Sequence, residues 1–560
     1  VQHAALSLFG SGRKTFNYDY GNCKHLVLYG RNVFESLRVK QANIIMDMLD
    51  RGGKITYIDP RAAGTAMKAT RYWPIRPGTD YALNLGIIHT VLRDKLYDAE
   101  FVRQWVLGLK ELESFVIPYT PEWAAAETGI SATEIVEFAH EIAAARPAVI
   151  FHPGWMVARY SDSFYSIRTS YILNALMGAF EAPGGLFFQK GPGDVGAKGL
   201  KSLMDTIPKP EEKRVDGCGW KHKHFDAGPG LLQLLYPAIL NEDPYPVKAY
   251  IAFRHDPLLS LPDPEAQKKA LDKLDLVVAI DANYSETGWY ADVLLPSATY
   301  LEKSSVLTTG KGLKPQFGMR KQAVEPRNDA KPDWWIFKSL AERLGAGEYF
   351  KFKDMEAFWE WQLEDTGVTV GDLEKKGFVA LTDKPVWWNR MKDLKFKTPS
   401  NKIEFVSSRL AASNIESFKP YERPKKPDEG YYRLAFGRSP VHTHGRTQNN
   451  PVLSEIMPEN QLWLNDEEAA KLGIAKGDRV RVTSADGSHS GTINVYVTEF
   501  IHPESVFMVH GFGRKVPWQT RGYNKGLGDY RFETGLLGVY DPVGGANSLM
   551  ECFVKVEKAE

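Results

Sequence analysis

The segment LVLYGRNVFES, residues 26–36, puts a glycine, an arginine and an asparagine where an apolar run of strand formers stops and a helical segment begins. A loop at a strand's C-terminal end, followed by a helix N-terminus, offers backbone N–H groups and a positive dipole end to an anion. Gly30 lets the backbone come close, and Arg31 and Asn32 add donors. Asp59 ends the next strand, where a carboxylate can accept hydrogen bonds from ribose hydroxyls. RPGTD, 76–80, is a turn containing Gly78 and ending in Asp80, whose carboxylate suits the N1–H and N2–H₂ edge of guanine. The loop lacks the G-x-G-x-x-G of an NAD site, which argues against a nicotinamide-dependent dehydrogenase. Together these residues point to a guanine nucleotide or a large guanosine-bearing cofactor.

Such groups must be held by parallel strands and their loops. HLVLYG is a short buried strand, SLRVKQANIIMDMLDRG has helical spacing and ends in Gly52 and Gly53, and KITYID is a second strand. Strand, helix, strand in this order predicts parallel pairing with a right-handed crossover. Helices are expected at 81–94, 97–107 and 131–145, then a strand in PAVIFHPG. VKAYIAFRHDP and LDLVVAIDAN repeat the pattern of apolar strand and polar loop. The Gly-, Pro- and Lys-rich stretch 184–230 reads as long loops, and Val293 to Leu295 as core strand. Residues 387–430, rich in Lys and Pro, read as a linker. Beyond it YYRLAFGR, QLWLN, DRVRVTSADG, GTINVYVTE and SVFMVHGFG are short alternating strands between turns, with one helix at DEEAAKLG: a β-barrel. The expected fold is α/β, with Rossmann-like domains at 1–150 and 151–425 and a barrel of double-psi type at 426–560.

A chain of 560 residues, 43% hydrophobic and 25% charged, has the composition of a multidomain globular protein. Its net charge of +1 gives no electrostatic case for nucleic acid. No apolar run approaches the roughly 20 residues of a membrane span, and no signal peptide is read. Cys23, Cys218 and Cys552 stand far apart, so these residues alone build no zinc ribbon or four-thiolate iron–sulfur cluster. The H-x-H pairs 442/444 and 222/224 have no third ligand at metal-site spacing; hydrogen bonding to a cofactor suits the first and a solvated loop the second. Arg159 and Arg168, after the HPGW strand end, are candidates for clamping an anionic substrate and equally for ordinary carboxylate pairing.

LVLYGRNVFES, YIDPRAAGTAMKATRYWPIRPGTDYAL, AIDANYSETGWYADVLLPSATYLEK and GRSPVHTHGRTQNNPVLSEIMPENQLWLN, in this order and spacing over nearly the whole chain, resemble the molybdopterin oxidoreductases of the dimethyl-sulfoxide-reductase family. HPGWMVARYSDSFYSIR and GPGLLQLLYPAIL with the following YPVKAYIAFRHDPLLSLPDPE resemble, within it, catalytic subunits of polysulfide and thiosulfate reductases. The resemblance implies two molybdopterin guanine dinucleotides chelating one molybdenum or tungsten. Gly30, Arg31, Asn32, Asp59, Pro60, Arg61, Gly78 and Asp80 match one nucleotide cradle, with Gly154 and Trp155 beside it. Arg254, His255, Asp256, Pro257, Asp281, Ser285, Thr287 and Asp292 match the other. There the usual glycine–x–asparagine–proline reads Arg254-His255-Asp256-Pro257, which puts a direct contact from Asp256 in question. Gly437, Arg438, Thr443, His444, Arg446, Thr447 and Gln448 would cover the pterins, with His510 and Asn547 nearby.

Family members carry a [4Fe–4S] domain and then a Cys, selenocysteine or Ser ligand to the metal, and here both are expected upstream of Val1. VQHAALSLFGSG looks like the segment just after that ligand, as if a selenocysteine codon had been read as a stop; a natural fragment, or one of two polypeptides, is the alternative. The resemblance further implies reduction of an anionic sulfur compound in anaerobic respiration. It also implies an iron–sulfur electron-transfer subunit, a quinol-oxidising membrane anchor, and a place in the periplasm or at the outer face of the cytoplasmic membrane. The same scaffold acting on arsenate, tetrathionate or formate is the nearest rival reading. A molybdenum-free structural subunit of a respiratory complex is a rival of another class, against which the dense polar cradle residues argue.

Overall fold

A computed structural model describes residues 1–36, 39–198, 200–225, 230–390 and 392–559. Leu37 and Arg38, inside the helix expected after Gly30, and Gly199 and residues 226–229 of the expected loop stretch lie outside the described residues.

Strands β1 (His25–Tyr29), β2 (Lys54–Ile58), β3 (Arg71–Trp73) and β4 (Val149–His152) form one sheet. All pairs are parallel, in the order β3-β2-β1-β4. Every β1 side chain is buried, as a central strand covered on both faces requires. The chain steps from β1 outward to β3 and then returns on the other flank as β4. The order therefore reverses between β1 and β4, where the carboxyl ends of two neighbouring strands leave a crevice. Helices Asp80–Arg93 and Ala132–Ala145 lie where the apolar spacing places them, the second started by a capping box of Ser131 and Glu134. Helix Ser163–Leu176 is buried on all sides.

One core binds this sheet to residues on both sides of the expected boundary at 150, and to Leu394, Phe396, Ile403, Phe405 and Leu410 of the segment read as a linker. Within that segment Leu394, Phe396 and Thr398 point inward while Lys395 and Lys397 face solvent. The lysines that suggest a linker are the outer half of a strand-like alternation. Ile403–Glu404 then pairs in parallel with Val106–Leu107.

Strands β5 (Ala249–Phe253), β6 (Leu276–Asp281) and β7 (Val293–Pro296) form a second parallel sheet, β7-β6-β5. β7 is an edge, and Val293 is 41% exposed rather than core. The C-terminal strands are β8 (Tyr431–Gly437), β9 (Leu462–Leu464), β10 (Arg479–Ser484), β11 (Ser490–Val497), β12 (Ser505–Val509) and β13 (Phe553–Lys558). They close as β8-β12-β9-β11-β10-β13, with β8/β12 and β9/β11 parallel and the remaining pairs antiparallel. β13 adds a sixth strand to the five expected. The barrel sits on the first sheet's loops: His502 N donates to Pro60 O at 2.8 Å and Ala62 N to Phe500 O at 2.9 Å.

Candidate active site

Two clefts open between the strand ends and the barrel. The first, a cavity of about 650 Å³, is lined by Gly30, Arg31 and Asn32 after β1, Asp59, Pro60 and Arg61 after β2, Gly78 and Asp80, and Trp155 and Arg159 after β4. Gly437, Arg438, His444 and His510 of the barrel domain close it. Gly30 has φ +54° and Gly154 φ +62°. A Cβ on Gly154 would stand 1.8 Å from the Tyr29 carbonyl oxygen, so glycine is what lets the two loops stack at the switch point. Gly154 thus serves the packing behind the cleft rather than its wall.

Polar groups here are held by their own loops. Asn32 Nδ2 donates to Glu35 Oε2 at 2.5 Å, and its carbonyl accepts from Thr65 Oγ1 at 2.7 Å. Asp59 accepts from Tyr57 Oη at 2.6 Å and from Arg61 N at 2.8 Å. The Arg61 guanidinium lies 4.0 Å from the Phe507 ring centroid. Asp80 heads its helix at 6% exposure, and burial pushes its carboxyl up to about 7.

The second cleft, about 520 Å³, is lined by Arg254, His255 and Asp256 after β5, Asp281 and Ser285 after β6, and Arg446, with Lys303, Arg320 and Arg514 added by the fold. Arg254 stands at φ +54°, a left-handed position that costs a non-glycine residue about 1–2 kcal/mol and explains why glycine is usual there. Asp256 reaches the cleft wall, but its carboxylate already accepts from Thr287 Oγ1 at 2.8 Å and Thr287 N at 2.9 Å. Thr287 and Asp292 stand behind the cleft; Asp292 accepts from Val277 N at 2.7 Å and braces the sheet. Pro257 is buried at the start of a short helix, and Ser285 Oγ caps the next by accepting from Gly288 N at 3.0 Å.

Ser260, His444 and His510 line both clefts, so the two meet at this place. Arg438 Nη2 lies 2.5 Å from His444 Nε2, and burial together with that cation lowers the His444 imidazole to about 4, leaving it a neutral acceptor. Thr443, Thr447 and Gln448 shape the turn that presents His444: Thr443 N donates to Thr447 Oγ1 at 2.9 Å, and Gln448 Nε2 to the His444 carbonyl. His442 points into the protein, bonding Met457 O at 2.8 Å. His224 bonds Pro542 O at 2.7 Å.

Arg168 lies away from both clefts. At 1% exposure it bonds Ser417 O at 2.8 Å, Phe405 O at 2.7 Å, Glu404 O at 3.0 Å and Ser7 Oγ at 3.1 Å. An arginine on a helix buried all round must find acceptors there, so it braces segment 404–417 instead of clamping substrate. Asp529, Glu533, Tyr160 and Arg514 line the clefts without having been singled out from the sequence; no motif marks them.

A nucleotide-bearing cofactor fits this donor set. Arg31 Nε, His255 Nε2 and Arg514 Nη1 belong to cleft-lining residues and are buried without a hydrogen-bond partner; Asn547, whose amide atoms are also unpaired, lines neither cleft. Each such group costs about 1–3 kcal/mol unless a ligand satisfies it. Both cavities lie in the range of roughly 300–1,000 Å³ typical of cofactor sites.

Two parallel sheets, a roofing barrel and two polar clefts at the strand ends, each carrying several arginines, define a scaffold that suits a large, anionic, nucleotide-bearing cofactor. Residues 4–343 match the family Molybdopterin oxidoreductase, and residues 432–552 match the Molydopterin dinucleotide binding domain. The thiosulfate reductase molybdopterin-containing subunit PhsA of Salmonella typhimurium is 33% identical over 544 residues, covering 91% of this chain and 71% of that protein. Acetylene hydratase of Syntrophotalea acetylenica is 28% identical, covering 83% and 67%. The solved acetylene hydratase from Pelobacter acetylenicus has the same fold: TM-score 0.84 at 23% identity, covering 100% of this chain and 80% of that one. The chain belongs to the molybdopterin oxidoreductase family, and its cofactor class is a molybdopterin dinucleotide with molybdenum or tungsten.

Proposed function

We propose that this chain is the catalytic part of an enzyme that holds two molybdopterin guanine dinucleotides and reduces thiosulfate or polysulfide by two electrons in anaerobic respiration. The convergence of two arginine-bearing clefts at Ser260, His444 and His510 carries this reading. The likeness to a thiosulfate reductase subunit over most of the chain supports the substrate. Arg31, Arg61 and Asp80 would hold one dinucleotide, and Arg254, Asp281 and Arg514 the other. When bound, the cofactor supplies two-electron redox chemistry at sulfur. Arg159 and Arg438 attract the dianionic substrate to the first cleft and favour the charge left on sulfite as it departs. Electrons arrive from an iron–sulfur subunit and ultimately from quinol through a membrane anchor, at the outer face of the cytoplasmic membrane, with a [4Fe–4S] cluster and the metal's protein ligand supplied from outside residues 1–560.

The test uses protein prepared with its upstream coding region. Acid release of about two GMP per metal, and oxidation of a reduced viologen dye by thiosulfate with sulfide and sulfite formed in equal amounts, are the expected results. CMP or no nucleotide, or turnover of arsenate, tetrathionate, formate or acetylene with none of thiosulfate or polysulfide, overturns the reading.

A further inference from the structure

Where the clefts meet, an acidic pair stands behind a histidine. His510 Nδ1 lies 2.7 Å from Asp529 Oδ2, which leaves Nε2 as the ring nitrogen still available. Asp529 is 1% exposed, and its other oxygen is buried without a hydrogen-bond partner. Glu533, four residues on and 2% exposed, lines the first cleft with Asp529. The His444 ring faces His510 at 6.0 Å between centroids, and Phe436 stands 5.7 Å from it. Arg159 and Arg514 are the cations that act on His510.

We propose that His510 is the proton donor of this enzyme, delivering through Nε2 into the junction of the clefts, with Asp529 as its positioning residue and Glu533 as the neighbouring proton store. Burial and the two arginines oppose a charge on His510, yet the Asp529 carboxylate and its hydrogen bond outweigh them and raise the imidazole above its ordinary 6.5. Burial, and then the neighbouring Asp529 charge, also raise the Glu533 carboxyl well above its ordinary 4.5.

The substrate side of the inference rests on the sulfur reading above. Cleaving the S–S bond of thiosulfate takes two electrons from a reduced iron–sulfur or viologen donor and one proton, and yields hydrosulfide and sulfite. That proton passes from His510 to the outer sulfur as the S–S bond breaks and sulfite leaves, forming the S–H bond of hydrosulfide; His510 recovers one from the Glu533 side.

The experiment is an NMR pH titration of the histidine-labelled full chain, with His510 assigned by its loss in His510→Gln. In the wild type His510 titrates above pH 6.5. In Asp529→Asn its midpoint falls by at least one pH unit, and in Glu533→Gln it stays. In the loaded enzyme Asp529→Asn lowers kcat about tenfold or more, moves the alkaline limb of the rate profile to lower pH, and leaves KM and GMP content unchanged. A wild-type midpoint below 6.5, or one that Asp529→Asn does not move, overturns the assignment, and the wild-type measurement suffices if that variant does not fold. Loss of GMP together with rate in Asp529→Asn overturns it in favour of a purely structural role. The expected titrations without turnover of either sulfur compound support the histidine–aspartate pair and overturn the substrate.

Discussion

At the scale of single residues, the two candidate arginines separate by where their helix and loop lie. Arg159 sits in a loop at a sheet's C-terminal end and lines a cleft; Arg168 sits on a helix buried all round and is saturated by carbonyls. Residue type and spacing could not distinguish them, because a guanidinium suits backbone oxygens as well as anions. Asp80 is a clearer case of function set against stability. Its carboxyl rises from 3.8 to about 7 on folding of the cofactor-free chain. The folded state therefore holds a proton that the unfolded state has released, and the stability cost grows as pH rises from about 4 to 7 and is complete above it. Asp80→Asn should raise the unfolding free energy at pH 8 by on the order of 2–4 kcal/mol and change little below pH 4. Urea denaturation at both pH values measures this. Nucleotide content should fall in the same variant, and equal stability at pH 8 would remove burial as the source of the shift.

At the scale of elements, the site exists because strand order reverses between β1 and β4. Both strands are readable from their apolar runs. Their adjacency is not, because more than ninety residues of helix and loop separate them in the chain. The two glycines after these strands make this testable. At Gly30 a Cβ meets nothing closer than 3.4 Å, so Gly30→Ala pays only for its positive φ, about 1 kcal/mol. At Gly154 the same atom strikes the Tyr29 backbone, and Gly154→Ala must part β1 from the β4 loop. Thermal unfolding should show a small loss for the first and several times that for the second; equal losses would mean that the loops are not packed as described. The Lys-rich segment 394–398 teaches a related lesson: its composition reads as linker, yet Leu394, Phe396 and Thr398 turn inward between exposed lysines and tie it to the core.

At the scale of the molecule, the barrel roofs the clefts and a strap leading into it fastens the first one. Tyr81 Oη donates to Lys419 O at 2.7 Å, and Arg423 Nε to Glu127 Oε2 at 2.8 Å. Arg433 Nη2 donates from the barrel to Lys425 O at 2.6 Å. Pro424 stands 3.1 Å from the Cβ position of Gly78, over the turn that leads to Asp80. Arg423→Ala removes the tie to Glu127, and because Arg423 is half exposed the change loosens the strap locally and leaves global stability nearly unchanged. Trypsin should then cut the Lys425–Lys426 bond several-fold faster in the folded protein, read by mass spectrometry of the fragments. An unchanged rate would mean that the strap is held by its prolines alone.

The sequence by itself determined the family, the parallel-strand and barrel composition and most of the cradle residues, because apolar periodicity and glycine-punctuated polar loops are local properties of the chain. Only the tertiary structure decided that the two cradles meet at Ser260, His444 and His510, that Arg168 faces away, and that Asp529 and Glu533 stand behind the junction. Those facts depend on which buried strands neighbour one another and on where the barrel docks. That choice is made by long-range packing and by the cost of leaving buried polar atoms unpaired, neither of which has a spacing along the chain.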